Sequence, residues 1–134
     1  MATYRKSNDN LGLGTKPPQI VWSIVRGDTS SFRVYVTDDS KQPLTISQWT
    51  VRVDFKRPSD PKDAGIITDN ATLVLTLNPT QTVNDAPGEF VIFLNRNNSA
   101  LLQTGDIFDI ELSDATRVWT VGQGSMVVYE DVTN

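Results

Sequence analysis

Apolar and polar positions alternate in short runs along most of the chain from Ile20 to Val132. The clearest are Phe32, Val34, Val36; Val51, Val53, Phe55; Leu73, Leu75, Leu77; Phe90, Ile92, Leu94; and Phe108, Ile110, Leu112. Successive side chains of a strand point to opposite faces, so each run predicts one apolar face and one wet face. An apolar sheet face needs a second sheet to cover it. The expected fold is therefore all-β: an antiparallel β-sandwich, Ig-like or jelly-roll-like, with an extended N-terminal arm.

Strands are expected over Ile20–Arg26, Ser31–Thr37, Trp49–Arg57, Thr72–Leu77, Glu89–Asn95, Ile107–Leu112, Arg117–Val121 and Met126–Tyr129. Ile66-Ile67-Thr68 reads as a short edge strand. Gly27-Asp28, Asp38-Asp39-Ser40, the stretch from Pro58 to Gly65 and the polar stretch from Asn78 to Gly88 supply turns and loops. Asn97 to Leu102 reads as one helical turn capped by an asparagine, whose side chain accepts from orphan backbone N–H groups.

Residues 1–19 break the pattern. Met1 to Asn10 is polar and mixed in charge, Leu11-Gly12-Leu13-Gly14 holds two glycines, and Pro17-Pro18 follows. Such a segment cannot offset its ordering entropy by burying itself. It reads as an arm, 1–19, ahead of a domain, 20–134. Terminal tails order when tied down, so the arm is expected to lie on a partner through Tyr4, Arg5, Leu11, Leu13, Pro17 and Pro18.

Composition narrows the chemistry. A chain of 134 residues with 38% apolar content is one domain with an adequate core. It has no cysteine, hence no disulfide staple, thiolate nucleophile or sulfur metal site. It has no histidine, which removes the commonest general base and the usual zinc ligand. The net charge is −4, and the basic groups cluster only at Tyr4-Arg5-Lys6 and Lys56-Arg57, so nucleic acid is not an expected partner. No run has the length of a membrane helix and the N-terminus has no signal-type apolar stretch, so no membrane association is expected.

The remaining motifs have ordinary accounts. Asp106, Asp109 and Glu111 could supply a hydrolytic carboxylate pair, but alternation places Asp109 and Glu111 on the wet face of a strand opposite Phe108 and Ile110. Calcium could use Asp38-Asp39 or Asp60 and Asp63, though no EF-hand spacing is present. Arg26-Gly27-Asp28 resembles an integrin-binding loop, yet Gly makes the turn and the Asp side chain can close it. Asn70-Ala71-Thr72 and Asn97-Asn98-Ser99 match the glycosylation pattern without a secretion signal. Gly122-Gln123-Gly124 opens no helix and has no phosphate-binding lysine. Trp22, Trp49 and Trp119 sit within or at the ends of strands and are expected in the core or an interface rather than in a sugar site. No enzyme activity, metal or cofactor is expected.

The order of the segments carries a resemblance. Arg26-Gly27-Asp28-Thr29 opens the module; Pro43-Leu44-Thr45-Ile46, Pro87-Gly88-Glu89-Phe90, Ser99-Ala100-Leu101-Leu102 and Gly105-Asp106-Ile107-Phe108-Asp109-Ile110-Glu111-Leu112 follow; Gly124-Ser125-Met126-Val127-Val128 and Asp131-Val132-Thr133 close it. Residues 20–133 resemble the small β-module of bacteriophage virion proteins, notably the N-terminal domain of baseplate upper proteins that anchor receptor-binding fibres. The resemblance implies a non-enzymatic virion structural protein, assembled in the host cytoplasm. It would be a tail, baseplate or fibre adaptor bound to other virion structural proteins, with copies in a homo-oligomer or symmetric array. A capsid decoration (cement) protein and a carbohydrate- or receptor-binding module built on the tryptophans are the alternatives.

Overall fold

The computed structural model describes residues 17–37, 41–43, 49–80 and 88–130. The strands are β1 (Gln19–Val25), β2 (Ser30–Tyr35), β3 (Thr50–Pro58), β4 (Ala71–Leu77), β5 (Glu89–Leu94), β6 (Ile107–Ser113) and β7 (Val118–Tyr129). One short helix, α1 (Arg96–Ala100), and a 3-10 turn at Pro61–Asp63 complete the described elements. A five-stranded sheet runs in the order β1-β7-β6-β3-β4, and β2 and β5 form a two-stranded sheet. Neither sheet closes on itself.

The large sheet is mixed, which corrects the antiparallel expectation. β1 runs parallel to β7, Gln19 beside Gln123 through Val25 beside Tyr129, while the other pairs are antiparallel. Parallel neighbours need a long crossover, and the whole chain from β2 to β6 supplies it. Alternation of side chains cannot distinguish the two senses of pairing.

One core joins the sheets. Val51, Val53, Phe55, Phe108, Ile110 and Leu112 from the large sheet and Val34, Phe90, Ile92 and Leu94 from the small one are buried together. Trp22 of β1 fills the space between them, its ring centroid 5.5 Å from that of Phe32 and 6.2 Å from those of Phe55 and Phe108. Aromatic pairs at these distances and tilts add attraction beyond area burial.

Two bulges override simple alternation. Phe55 lies opposite Leu75 and Lys56 opposite Leu73, so Val74 is an extra residue in β4. The insertion turns Leu73 outward, where it is half exposed, while Val74, Leu75 and Leu77 pack on the core. In β7, Gly122 lies opposite Ile110 and Thr120 opposite Glu111, leaving Val121 as the extra residue. Buried positions accordingly shift phase from Trp119 and Val121 to Gly122, Gly124, Met126 and Val128. Arg117–Val121 and Met126–Tyr129, expected as separate strands, are thus one bulged strand. The glycines keep it continuous: a Cβ on Gly124 would meet the Ile20 carbonyl oxygen and lie 2.6 Å from Phe108 Cζ.

Two further expectations change. Ile66-Ile67-Thr68 is not a strand but part of the β3–β4 connection. The helical turn starts earlier than expected, because Asn95 is its cap: the Asn95 side-chain oxygen accepts from Asn98 N–H at 2.8 Å.

Candidate functional site

Asp106 is the one charged side chain buried among the described residues. Arg57, at the end of β3, holds it with a fork: Nε to Oδ1 at 2.8 Å and Nη2 to Oδ2 at 2.9 Å. Gln103 N–H donates to Oδ2 at 2.8 Å, and Arg57 Nη2 also donates to the Leu101 carbonyl at 3.0 Å. The carboxylate raises the Arg57 pKa above its ordinary value by this hydrogen bonding. The pair fastens the α1–β6 connection to β3, and its geometry is that of a structural bridge.

The outer face of the large sheet carries the other carboxylates. Asp54 of β3 and Asp109 of β6 lie directly opposite each other. Asp54 is bound by Arg52 Nε at 3.0 Å and by Thr76 Oγ1 at 2.7 Å. Burial raises the Asp109 pKa, and the facing Asp54 raises it further. Glu111 stands two residues along the same face. Beside them is a cavity of about 100 Å³ between the sheet (Asp54, Lys56, Asp109, Gln123) and the β3–β4 connection (Ile67 to Asp69). Asp54 and Asp109 are neighbours on one face, not acid and base across a cleft, and no cluster of three metal-ligating side chains occurs among the described residues. The sequence marked Arg57 only as half of the Lys56-Arg57 basic pair and did not mark Asp54. Asp54 lies in the polar phase of the Val51-Val53-Phe55 run, whereas Arg57 continues the inward phase, a cation where an apolar residue is due, and both acquire meaning only when β3 lies beside β6.

The end of the sheet where the chain enters β1 is the remaining candidate. Pro17 and Pro18 are half-buried there, and the Pro18 carbonyl accepts from Gln123 N–H at 3.1 Å. The described sheet therefore begins within the segment 1–19. Tyr4, Arg5, Leu11 and Leu13 lie outside the described residues. At the far end of β1, Gly27 (φ +85°) makes the turn, Asp28 N–H closes it on the Val25 carbonyl at 3.0 Å, and Gly27 N–H donates to Ser99 Oγ at 2.9 Å. The closure is by backbone, not by the Asp28 carboxylate as expected, and Arg26 pairs with Glu130 at 3.2 Å.

The other sequence candidates are dispersed. Asp60 caps the 3-10 turn by accepting from Lys62 N–H at 3.0 Å, Asp63 sits within that turn, and Asp38 and Asp39 lie outside the described residues. Trp22 and Trp119 are buried. Trp49 has the Trp119 ring edge-on at 6.5 Å and the Arg117 guanidinium 4.8 Å from its centroid, so one of its faces is covered. Arg117 in turn bonds Asp114 and, with the Thr116 N–H, holds that carboxyl down to about 2. No helix among the described residues is long and apolar enough to cross a membrane.

No protein-family model and no curated protein matches the chain. Among solved structures, an uncharacterized protein from Bacillus anthracis str. Ames is 15% identical, with 83% of this chain and 84% of that chain covered and a TM-score of 0.42.

Proposed function

We propose that this chain is a non-enzymatic structural protein of a bacteriophage particle, an adaptor in the tail, baseplate or fibre attachment that docks through its N-terminal segment onto other virion proteins. On this reading the two sheets are the layers of a small sandwich that acts as a rigid block, and copies repeat with the symmetry of the particle. The observation that carries the reading is where the N-terminal segment leaves the sheet. Pro17-Pro18 lead straight onto edge strand β1, and the Pro18 carbonyl is fixed by Gln123. A tether rooted in a sheet edge transmits force to the whole block, and an extended segment can bind by backbone pairing with alternate side chains in pockets. The segment order resembling phage baseplate modules supports the tail over the head.

The test is incorporation. Particles are produced in a host expressing either the full chain or a chain lacking residues 2–16, then purified and quantified by mass spectrometry. The full chain is expected at a fixed copy number per particle and the truncated chain at a small fraction of it. Equal occupancy, or absence of the full chain from particles, overturns the proposal.

A further inference from the structure

We propose that the free edge of β1 pairs antiparallel with β1 of a second copy of this chain, about a twofold axis at Trp22. Among the described residues β1 ends the large sheet, with β7 on one side and no strand on the other. Gln123 N–H to the Pro18 carbonyl and Arg26 N–H to the Tyr129 carbonyl fix the phase of its backbone. In a parallel ladder, alternate residues turn both N–H and C=O to the neighbour. Ile20, Trp22 and Ile24 therefore face β7, and Gln19, Val21, Ser23 and Val25 face outward. The outward backbone groups of Val21 and Ser23 have no partner among the described residues.

Natural sheet edges are guarded by charges, prolines, bulges or shortness. β1, QIVWSIV, is seven residues long without a charge or proline, and its register with β7 has no bulge. Among the described residues the other edge strands differ: β4 carries the bulge at Val74, and β2 and β5 carry the charged Arg33 and Glu89. The outer face beside β1 carries exposed apolar side chains, Val21 at 68% and Tyr129 at 59%, among the polar Gln19, Ser23, Gln123 and Ser125.

The occupant follows from the strand's own order. Paired antiparallel with itself about Trp22, β1 sets Ile20 against Ile24 on the core face and Val21 against Ser23 and Gln19 against Val25 on the outer face, and no charge faces a like charge along the strand. Small Ser23 leaves room beside Val21. Each Val21–Ser23 pair exchanges two hydrogen bonds, so the twofold repeats the contact to give about four. This deepens the array reading above and rests on it for a role in the particle. The contact itself is tested in solution, so failure of the dimer and failure of the N-terminal tether are separate results.

Sedimentation velocity of the full chain from about 5 to about 200 μM reads the association. A concentration-dependent dimer is expected. Ser23→Pro removes only an outward N–H, which an edge strand tolerates, and Val21→Lys places a charge on the edge at an exposed site. Each should weaken association at least about tenfold with an unchanged melting temperature, while Val118→Lys, exposed away from β1, should leave it intact. A wild-type chain that stays monomeric throughout, or a dimer that survives Val21→Lys, overturns the proposal. Should Ser23→Pro unfold the chain, Val21→Lys alone decides.

Discussion

Arg57 and Asp106 show how a single substitution propagates. Arg57→Met leaves the Asp106 carboxylate buried with only the Gln103 N–H against it. An uncompensated buried charge costs about 3–5 kcal/mol, and urea unfolding is expected to show a loss of that size. Adding Asp106→Asn should recover part of it, because the stranded charge is gone. Asp109 has the opposite sense. Its raised pKa means that the folded chain holds the proton to higher pH than the unfolded chain, so ionisation of Asp109 opposes folding. The penalty is absent well below the ordinary value of 3.8 and complete once pH has passed the raised value. Asp109→Asn is expected to raise the melting temperature near neutrality, the gain fading as pH falls below 3.8; a gain independent of pH would refute this origin. Gly124→Ala presses a methyl group onto the Ile20 carbonyl, which belongs to rigid backbone. Overpacking of this kind costs about 1–3 kcal/mol or more. Gly122→Ala, which meets only the ends of Ile110 and Ile20 at 3.2 and 3.3 Å, should lower the melting temperature less.

Among the elements, α1 has a sharp test. Its cap is Asn95, so Asn95→Ala is expected to cost about 1 kcal/mol in denaturant unfolding, whereas Asn97→Ala, exposed inside the helix, should be nearly neutral. Most strands were legible in the sequence, because Phe32, Val34, Val36, Val51, Val53, Phe55 and Phe108, Ile110, Leu112 alternate without interruption and each set packs against the core. β4 and β7 were not fully legible. A bulge adds a residue that belongs to both strand faces in turn, and nothing in Val74 or Val121 as a side chain announces it. In β7 the gap expected between Val121 and Met126 holds Gly122 and Gly124, which lie inside the strand and mark close approach of Ile20 and Phe108. Ile66-Ile67 misled in the other direction: Ile67 walls the outer-face cavity and Ile66 is exposed, and neither enters a ladder.

For the molecule as a whole, the described sheet begins at Gln19, with Pro17 and Pro18 resting on it. A chain lacking residues 2–16 is therefore expected to keep the melting temperature and heat of unfolding of the full chain in calorimetry. A loss of several degrees would mean that the N-terminal segment contributes to this fold, and the tether reading would lose its separable arm. The candidate site was only partly legible at this scale. Asp106, Asp109, Pro17 and Pro18 could be singled out by type and position, but their partners Arg57, Asp54 and Gln123 come from β3 and β7, far away in sequence.

The mostly-β character, the outward phase of Asp109 and Glu111 and the inward phase of their neighbours were legible in the chain alone, because they depend on the two-residue repeat of a strand. The sequence also determined that neither a thiolate nor an imidazole could serve, since the chain has no cysteine and no histidine. Only the folded chain shows which strands are neighbours, that β1 runs parallel to β7, where the bulges fall, that Asp106 is buried on Arg57, and that β1 is an edge strand among the described residues. Each of these depends on which distant segment lies alongside, and the alternation within a strand carries no record of its neighbour.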